Sequence, residues 1–260
     1  MKLLIDADYI VYKCCASCET EIDFGEDVIL VTSKFSEAYR AVKRELAKIT
    51  AEFFDPQIIL FFSDSINFRK KILPDYKGHR NRKKPCGYKR VINKLKTEYE
   101  VVILPELEAD DSMGIYATMQ EDTCICSPDK DMRQIPGSLY DMKDHHKIDE
   151  CEGRKWHYIQ TLAGDQTDGY GGVPGIGVKR AIQFFDTHGY NWETVIKAFA
   201  EKDLPEDVAL QNARLAKILT VDEYDLPNKR IKLWTATADY ITDDGAGVQT
   251  KTDNRCIEQT

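Results

Sequence analysis

The sequence predicts an α/β protein: a mostly parallel central sheet flanked by helices, followed by a helical C-terminal module. Three observations carry that expectation. The runs KLLIDAD, QIILFFSD, VVILPELEADD and TCICSPDKD are apolar stretches of strand length, each ending in acids. Helical segments lie between them, and strands alternating with helices pair in parallel with helices on both sheet faces. From about residue 150 the pattern changes to short helices whose junctions carry Gly, Pro and Asn, good helix terminators.

In chain order, KLLIDAD is a short buried strand and DYIVYKCCASC continues as a helix. Between Lys34 and Phe54, the residues Phe35, Tyr39, Val42, Leu46, Ile49 and Phe53 recur every three or four positions, the helix period. QIILFFSD and VVILPELEADD repeat the strand form, the latter opening the helix DDSMGIYATMQ, and TCICSPDKD closes the series. RKWHYIQTLAGD, GVKRAIQFFDTHG, NWETVIKAFAEK and the stretch from Pro205 to Leu219 read as helices. The expected organisation is a sheet domain over 1–150 with a basic arm near 69–96, a helical module over 151–240 and a flexible polar tail over 241–260.

At 260 residues and 42% apolar content the chain can bury a substantial core. No uncharged apolar run approaches the roughly 20 residues a bilayer span needs. Acids stand where a signal peptide would be apolar, so a cytoplasmic protein is expected. Of eight cysteines only Cys15 and Cys18 have the spacing of a metal-binding pair, and no second pair completes a site. Buried thiols in a reducing compartment are the expectation.

The net charge of −8 is unevenly spread. From Arg69 to Lys96 twelve Lys or Arg face a single acid, Asp75, a local balance of +11 that leaves −19 for the rest. A basic strip beside an acidic body suits phosphate-backbone binding next to a metal centre. A solvated charged loop is the plainer alternative.

The acids are Asp6 and Asp8, Asp64, Glu108 with Asp110 and Asp111, Asp129 and Asp131, then Asp165 and Asp168. In a parallel sheet the ligand site lies beyond the carboxyl ends of the strands, where the first four groups fall. Asp129 and Asp131, two apart in extended chain, face one side. Asp165 and Asp168, three apart, share one face of a helical turn. A lone Asp after a strand more often caps the next helix, and Asp110 is placed to do so. Convergence of every group on one edge favours metal, because uncompensated carboxylates repel. Oxygen ligands without His or Cys select Mg²⁺ or Mn²⁺ over zinc. Two such ions about 4 Å apart clamp a scissile phosphodiester, and they reverse the local sign that would repel it.

VPGIGVKRA is a glycine turn that opens a helix, so outward N–H groups can grip a backbone phosphate without reading sequence. Gly175 and Gly177 permit the close approach, and Lys179 and Arg180 add charge. In LPDYKGHR, Tyr76 is expected to stack on a base while Lys77 and Arg80 meet the phosphate under attack. Arg69, Lys83 and Lys84 extend the nucleic-acid surface, with KKPCGYKR as a mobile arm that orders around a strand.

The motifs LIDAD, FFSD, FRKKILPDYKGHR, LEADD, SPDKD and GDQTDGYGGVPGIGVKRA occur in an order that resembles the flap-endonuclease superfamily. The sequence is most similar to bacteriophage 5′→3′ exonucleases, from Leu3 to about Trp234, including QNARLAKIL and DEYDLPNKRIKLW. The resemblance implies a PIN-like nuclease domain with a helix–three-turn–helix DNA-binding module. It implies a first metal site at Asp6, Asp64, Glu108, Asp110 and Asp111, and a second at Asp129, Asp131, Asp165 and Asp168. Lys77 and Arg80 match basic residues at the base of the family's helical arch, and Tyr76 its aromatic neighbour. Gly175, Gly177 and Lys179 match the backbone-binding turn, which in relatives also holds a monovalent cation.

The implied activity is two-metal 5′→3′ exonucleolytic hydrolysis of double-stranded DNA, with 5′ flaps and RNA primers in RNA:DNA hybrids as further substrates in phage replication. A monomer with no membrane association is implied, and no sliding-clamp motif is visible. Asp8 departs from the pattern, since many relatives carry an uncharged polar residue there. The segment between Arg80 and Val101 is short for a full arch, which bears on threading of long flaps. A strictly structure-specific flap endonuclease, a PIN-domain ribonuclease and a non-catalytic DNA-binding protein are the competing readings.

Overall fold

The computed structural model describes residues 1–80 and 83–236. From the N-terminus, β1 (Lys2–Asp6) runs into α1 (Ala7–Ser17), a hairpin of β2 (Glu19–Asp23) and β3 (Ile29–Ser33), and α2 (Phe35–Thr50). Then come β4 (Gln57–Phe61), the single turn α3 (Arg69–Ile72), α4 (Tyr88–Leu95), β5 (Glu100–Val102) and α5 (Ala109–Met119). β6 (Thr123–Cys126), a 3-10 turn (Lys130–Gln134), β7 (Gly137–Tyr140) and β8 (His145–Ile148) complete the sheet-bearing half. The rest comprises α6 (Glu150–Ala163), the short pair β9 (Gly164–Asp165) and β10 (Tyr170–Gly171), α7 (Val178–His188), α8 (Trp192–Ala200) and α9 (Glu206–Ala216). A last pair, β11 (Tyr224–Asp225) and β12 (Arg230–Ile231), follows a second 3-10 turn.

The central sheet is ordered β5–β4–β1–β6–β7–β8 and is parallel except for the edge strand β8. β1 lies inside it, with Leu4 opposite Ile59 on β4 and Ile125 on β6. Successive side chains on a strand point to opposite faces. Leu3 and Ile5 therefore join Ile10, Val42, Leu46 and Val91 beneath α1, α2 and α4. Leu4 packs on the other face with Ile59, Met113, Ile125 and Leu139. Burial on both faces explains why these strands read as unbroken apolar runs, each such side chain contributing roughly 1.5–3 kcal/mol. A separate core of Tyr158, Leu162, Phe185, Trp192, Phe199 and Ala213 holds α6–α9 together.

Chain order explains where a site forms. The chain steps from β1 out to β4 and β5, then crosses back to β6 on the opposite side of β1. A crevice opens at the carboxyl ends of the strands where that direction reverses. Asp6 ends β1, and Ser127 to Asp131 follow β6, so this crevice receives acids from both.

The structure departs from expectation in the connections. The β2–β3 hairpin exposes Ile22, Phe24, Val28, Ile29, Leu30 and Val31, so it has no buried face from which period-two alternation could be read. KKPCGYKR is not a mobile arm: Pro85 and Tyr88 are buried, and α4 begins within the segment and packs Val91 and Leu95 into the core. The cysteines follow expectation. Cys14, Cys15, Cys124 and Cys126 are buried, and every described cysteine is free. Among the described residues no helix is long and apolar enough to cross a membrane. The expected tail over 241–260 lies outside the described residues.

Candidate active site

A cavity of about 970 Å³ occupies the crevice, its walls carrying Asp6, Asp8, Glu108, Asp110, Asp129, Asp131, Asp165 and Asp168. Local structure places each. Asp6 caps α1, accepting the Tyr9 N–H at 3.0 Å, while its other oxygen accepts the Ser127 hydroxyl at 3.1 Å. Asp129 caps the 3-10 turn, accepting the Asp131 N–H at 2.9 Å. For these two, capping and facing the cavity are one placement, since a cap at a strand's carboxyl end necessarily borders the crevice. Glu108 and Asp110 flank the start of α5, at its positive end.

Asp165 and Asp168 enter on the β9–β10 turn. That turn needs glycine at its base. A Cβ on Gly164 would lie 2.1 Å from the Gly172 nitrogen, and one on Gly172 would lie 2.1 Å from the Leu162 carbonyl oxygen.

The acids are crowded beyond what the protein's own cations offset. Burial, then the neighbouring Asp6, Asp129 and Glu108, push Asp110 well above the ordinary carboxylate range. Burial, opposed by the Tyr9 N–H and reinforced by Asp8, raises Asp6 to about 6. Burial and then Asp129 raise Asp131 to about 7, and its Oδ1 is buried without a partner. Asp168 is also raised, by burial, against the pull of Lys77. An all-oxygen donor set with a partnerless buried carboxylate oxygen fits a hard divalent cation. As they stand, no three His, Cys, Asp or Glu among the described residues already converge on one ion position.

The cations face the acids. Lys77 Nζ donates to Glu108 Oε1 and lies 3.5 Å from Asp168 Oδ1, and its backbone N–H donates to the Asp168 carbonyl at 2.7 Å. Arg80 donates to Asp168 Oδ1 at 2.6 Å and to the Thr167 carbonyl at 2.9 Å, with its side chain 47% exposed. Burial opposes the charge on Glu108, but Lys77 and Arg69 hold it below the ordinary glutamate value.

Four expected site residues are placed otherwise. Tyr76 is 1% exposed, its hydroxyl 2.7 Å from Asp168 and 3.1 Å from Glu108, so it orients acids and cannot stack on a base. Arg69 is also 1% exposed and grips Asp111 with two bonds of 2.7 and 2.8 Å, which removes it from any nucleic-acid surface. Asp111, fully buried, spends both oxygens on that grip and on the N–H groups of Glu108 and Leu219, leaving none for a metal. Asp64 turns away from the cavity to accept the N–H groups of Ser65 at 2.6 Å and Glu106 at 2.8 Å, while Ser63 lines the wall. Asp8 does line it, yet its oxygens take the Tyr88 hydroxyl and the Ser63 N–H, which ties α1 to α4 and to the end of β4.

Lys84 lines the cavity, its ammonium 4.7 Å from the Tyr88 ring centre and 5.9 Å from that of Tyr12. Lys83 is exposed outside it. Gly175 (φ +81°) and Gly177 form an exposed turn at the start of α7, apart from the cavity walls, with Lys179 exposed beside it. Arg180 folds back on that turn, donating to the Gly175 carbonyl at 2.7 Å.

Residues 1–156 match the family model described as "5′-3′ exonuclease, N-terminal resolvase-like domain". The chain belongs to the 5′→3′ exonuclease family. Among curated relatives, the exodeoxyribonuclease of Enterobacteria phage T3 is 27% identical over 281 residues, covering 90% of this chain and 92% of the relative. The exonuclease of Escherichia phage T7 is 25% identical, covering 89% and 92%. The fold matches a solved structure of the T5 5′-exonuclease with zinc bound, at TM-score 0.59 and 18% identity, covering 83% of this chain and 88% of that one.

Sequence reasoning missed several residues that line the cavity of this exonuclease: Tyr9, Tyr12 and Lys13 on α1, Lys130, and Tyr170. A signal for the first group existed. Tyr9 and Tyr12 are three apart on the helix that Asp6 caps, so they share a face. Tyr170 gave none, because its ring is buried against Tyr76 at 6.5 Å.

Proposed function

We propose that this exonuclease hydrolyses the phosphodiester backbone of double-stranded DNA from the 5′ end and depends on two divalent cations, Mg²⁺ or Mn²⁺. One observation supports the reading above all: crowded cavity acids, with Asp131 Oδ1 buried and partnerless, border Lys77 and Arg80. Asp6, Glu108 and Asp110 would hold one ion, and Asp129, Asp131, Asp165 and Asp168 the other. When bound, such ions supply Lewis acidity that lowers the pKa of a coordinated water and offsets charge on the departing oxygen.

The chain's own residues do the rest. Lys77 and Arg80 exchange their carboxylate partners for the oxygens of the phosphate under attack. Tyr76 holds Glu108 and Asp168 in place. The Gly175–Gly177 turn, with the first N–H groups of α7 and Lys179, grips the duplex backbone away from the cavity, as a helix–three-turn–helix does, and also takes a monovalent cation. Residues 1–150 act as the nuclease domain and 151–240 as the duplex-binding module of a monomer. Because α4 packs on the core soon after Arg80, long 5′ flaps are poor substrates relative to duplex ends. RNA primers in hybrids are removed as well, and the setting is phage DNA replication in the host cytoplasm.

The test is product analysis on a 5′-labelled duplex, a 5′-flapped duplex and an RNA:DNA hybrid, in Mg²⁺ or EDTA. Short labelled products from the blunt duplex, absent in EDTA, are expected. Cutting only at the flap junction would make it a structure-specific endonuclease, and no Mg²⁺-dependent product would make it a binding protein.

A further inference from the structure

We infer that Arg69 is a positioning residue that couples the end of α9 to Glu108, and so sets the carboxylate geometry without touching nucleic acid. The inference rests on the nuclease reading above. The Arg69 guanidinium is saturated: Nε donates to the Leu215 carbonyl at 2.9 Å and Nη2 to the Lys217 carbonyl at 2.6 Å. Nη1 and Nη2 grip Asp111, and Nη1 lies 3.5 Å from Glu108 Oε2. Leu215 and Lys217 stand at the end of α9, where carbonyls lack intrahelical partners and a cation is favourable.

From Arg69 the contacts run in both directions. Asp111 accepts the Glu108 N–H at 3.2 Å and the Leu219 N–H at 3.2 Å, so one carboxylate fixes both the start of α5 and the chain leaving α9. The Glu108 side chain is then held by Lys77 and Tyr76, which also hold Asp168. α9 itself reaches the opposite wall, where Asn212 donates to the Gly171 carbonyl at 2.7 Å on β10. The end of one helix in the expected duplex-binding module is thus tied to both carboxylate groups.

Cohesion alone does not call for such a pair. Taking a guanidinium and a carboxylate out of water is costly, and apolar residues of similar volume often hold a core equally well. What an apolar pair lacks is direction. The planar fork of arginine fixes a carboxylate in two bonds, and lysine, with a single rotatable ammonium, cannot reproduce it.

The test compares wild type, Arg69→Lys and the paired Arg69→Met/Asp111→Leu variant by melting temperature, duplex affinity in EDTA, and kcat and KM in Mg²⁺. Arg69→Lys is expected to bind duplex and show KM within about threefold of wild type while kcat falls about 100-fold, the scale of a small misplacement of reacting groups. The paired variant is expected to melt at or above wild type with kcat equally low. A folded paired variant with kcat within about threefold of wild type would make Arg69 merely structural, as would a paired variant that does not fold. A loss confined to KM and duplex affinity would make it a DNA contact. Each of these outcomes overturns the inference. A wild type inert on every substrate in Mg²⁺ would overturn the nuclease reading, and this inference with it.

Discussion

Divalent metal should stabilise this protein more at alkaline than at acid pH. The folded Asp6 pKa of about 6 lies above the ordinary 3.8, and Asp131 at about 7 lies higher still. The sign follows from linkage. A group whose folded pKa is raised binds protons more readily in the native state, so its stabilisation is complete below 3.8 and is lost as pH rises through the folded value. For Asp6 alone the loss by pH 8 is about 3 kcal/mol, and Asp129, which acts on both Asp6 and Asp131, keeps the two from simply adding. A bound ion removes that penalty because it favours the charged form.

The assay is thermal melting from pH 5 to 8 in Mg²⁺ or EDTA. About 3 kcal/mol corresponds to a shift of roughly 6–12 °C for a chain of this size. The metal-induced rise should approach that figure at pH 8 and shrink to a few degrees at pH 5. Asp131→Asn should raise the melting temperature in EDTA at pH 8 and diminish the response to metal. A metal-induced shift of equal size at both ends of the range would refute the reasoning.

Three further outcomes follow from other parts of the molecule. His157 has the opposite linkage: burial lowers its pKa from 6.5 to about 4, and Nε2 lies 2.8 Å from the Ala213 carbonyl, so its stabilisation is complete above 6.5 and lost as pH falls towards 4. That slope is worth about 3 kcal/mol and should flatten in His157→Gln, read by urea unfolding between pH 4 and 7. Lys179→Ala should weaken duplex binding to a similar degree across sequences and reduce the salt slope of log affinity by about 1, measured by anisotropy titrations. Gly164→Ala must push a Cβ into the Gly172 backbone at 2.1 Å, so it should lower the melting temperature and abolish cleavage together, whereas Gly177→Ala, with open space at its Cβ, should melt like wild type.

How much was legible follows from which residues face which surroundings. β1, β4 and β6 announced themselves because both of their faces are buried, so Leu3, Leu4 and Ile5 form an unbroken apolar run. The crevice acids were legible because strand ends and caps put Asp6 and Asp129 at one edge whatever the loops do. Arg69 was not, since an arginine beside Lys70 and Lys71 reads as surface until the end of α9 is seen to enclose it. Asp64 shows the same limit at a finer scale. Its position at the sheet edge was evident, but its direction depends on the N–H groups of Ser65 and Glu106, which no local pattern specifies. The β2–β3 hairpin left no trace because Ile22, Ile29 and Leu30 bury neither face.

The most direct measurement is duplex cleavage by wild type and Asp110→Asn across a Mg²⁺ titration, with duplex affinity measured in EDTA alongside. Asp110 sits where burial and three other acids crowd it most, so its charge has no purpose there without a cation. The variant should bind duplex at least as tightly as wild type yet cleave slower by about 10²-fold or more, the scale of losing one preorganised charge-stabilising group. Cleavage by Asp110→Asn at the wild-type rate, or by wild type in EDTA, would contradict the assignment of this cavity as a metal-dependent nuclease centre.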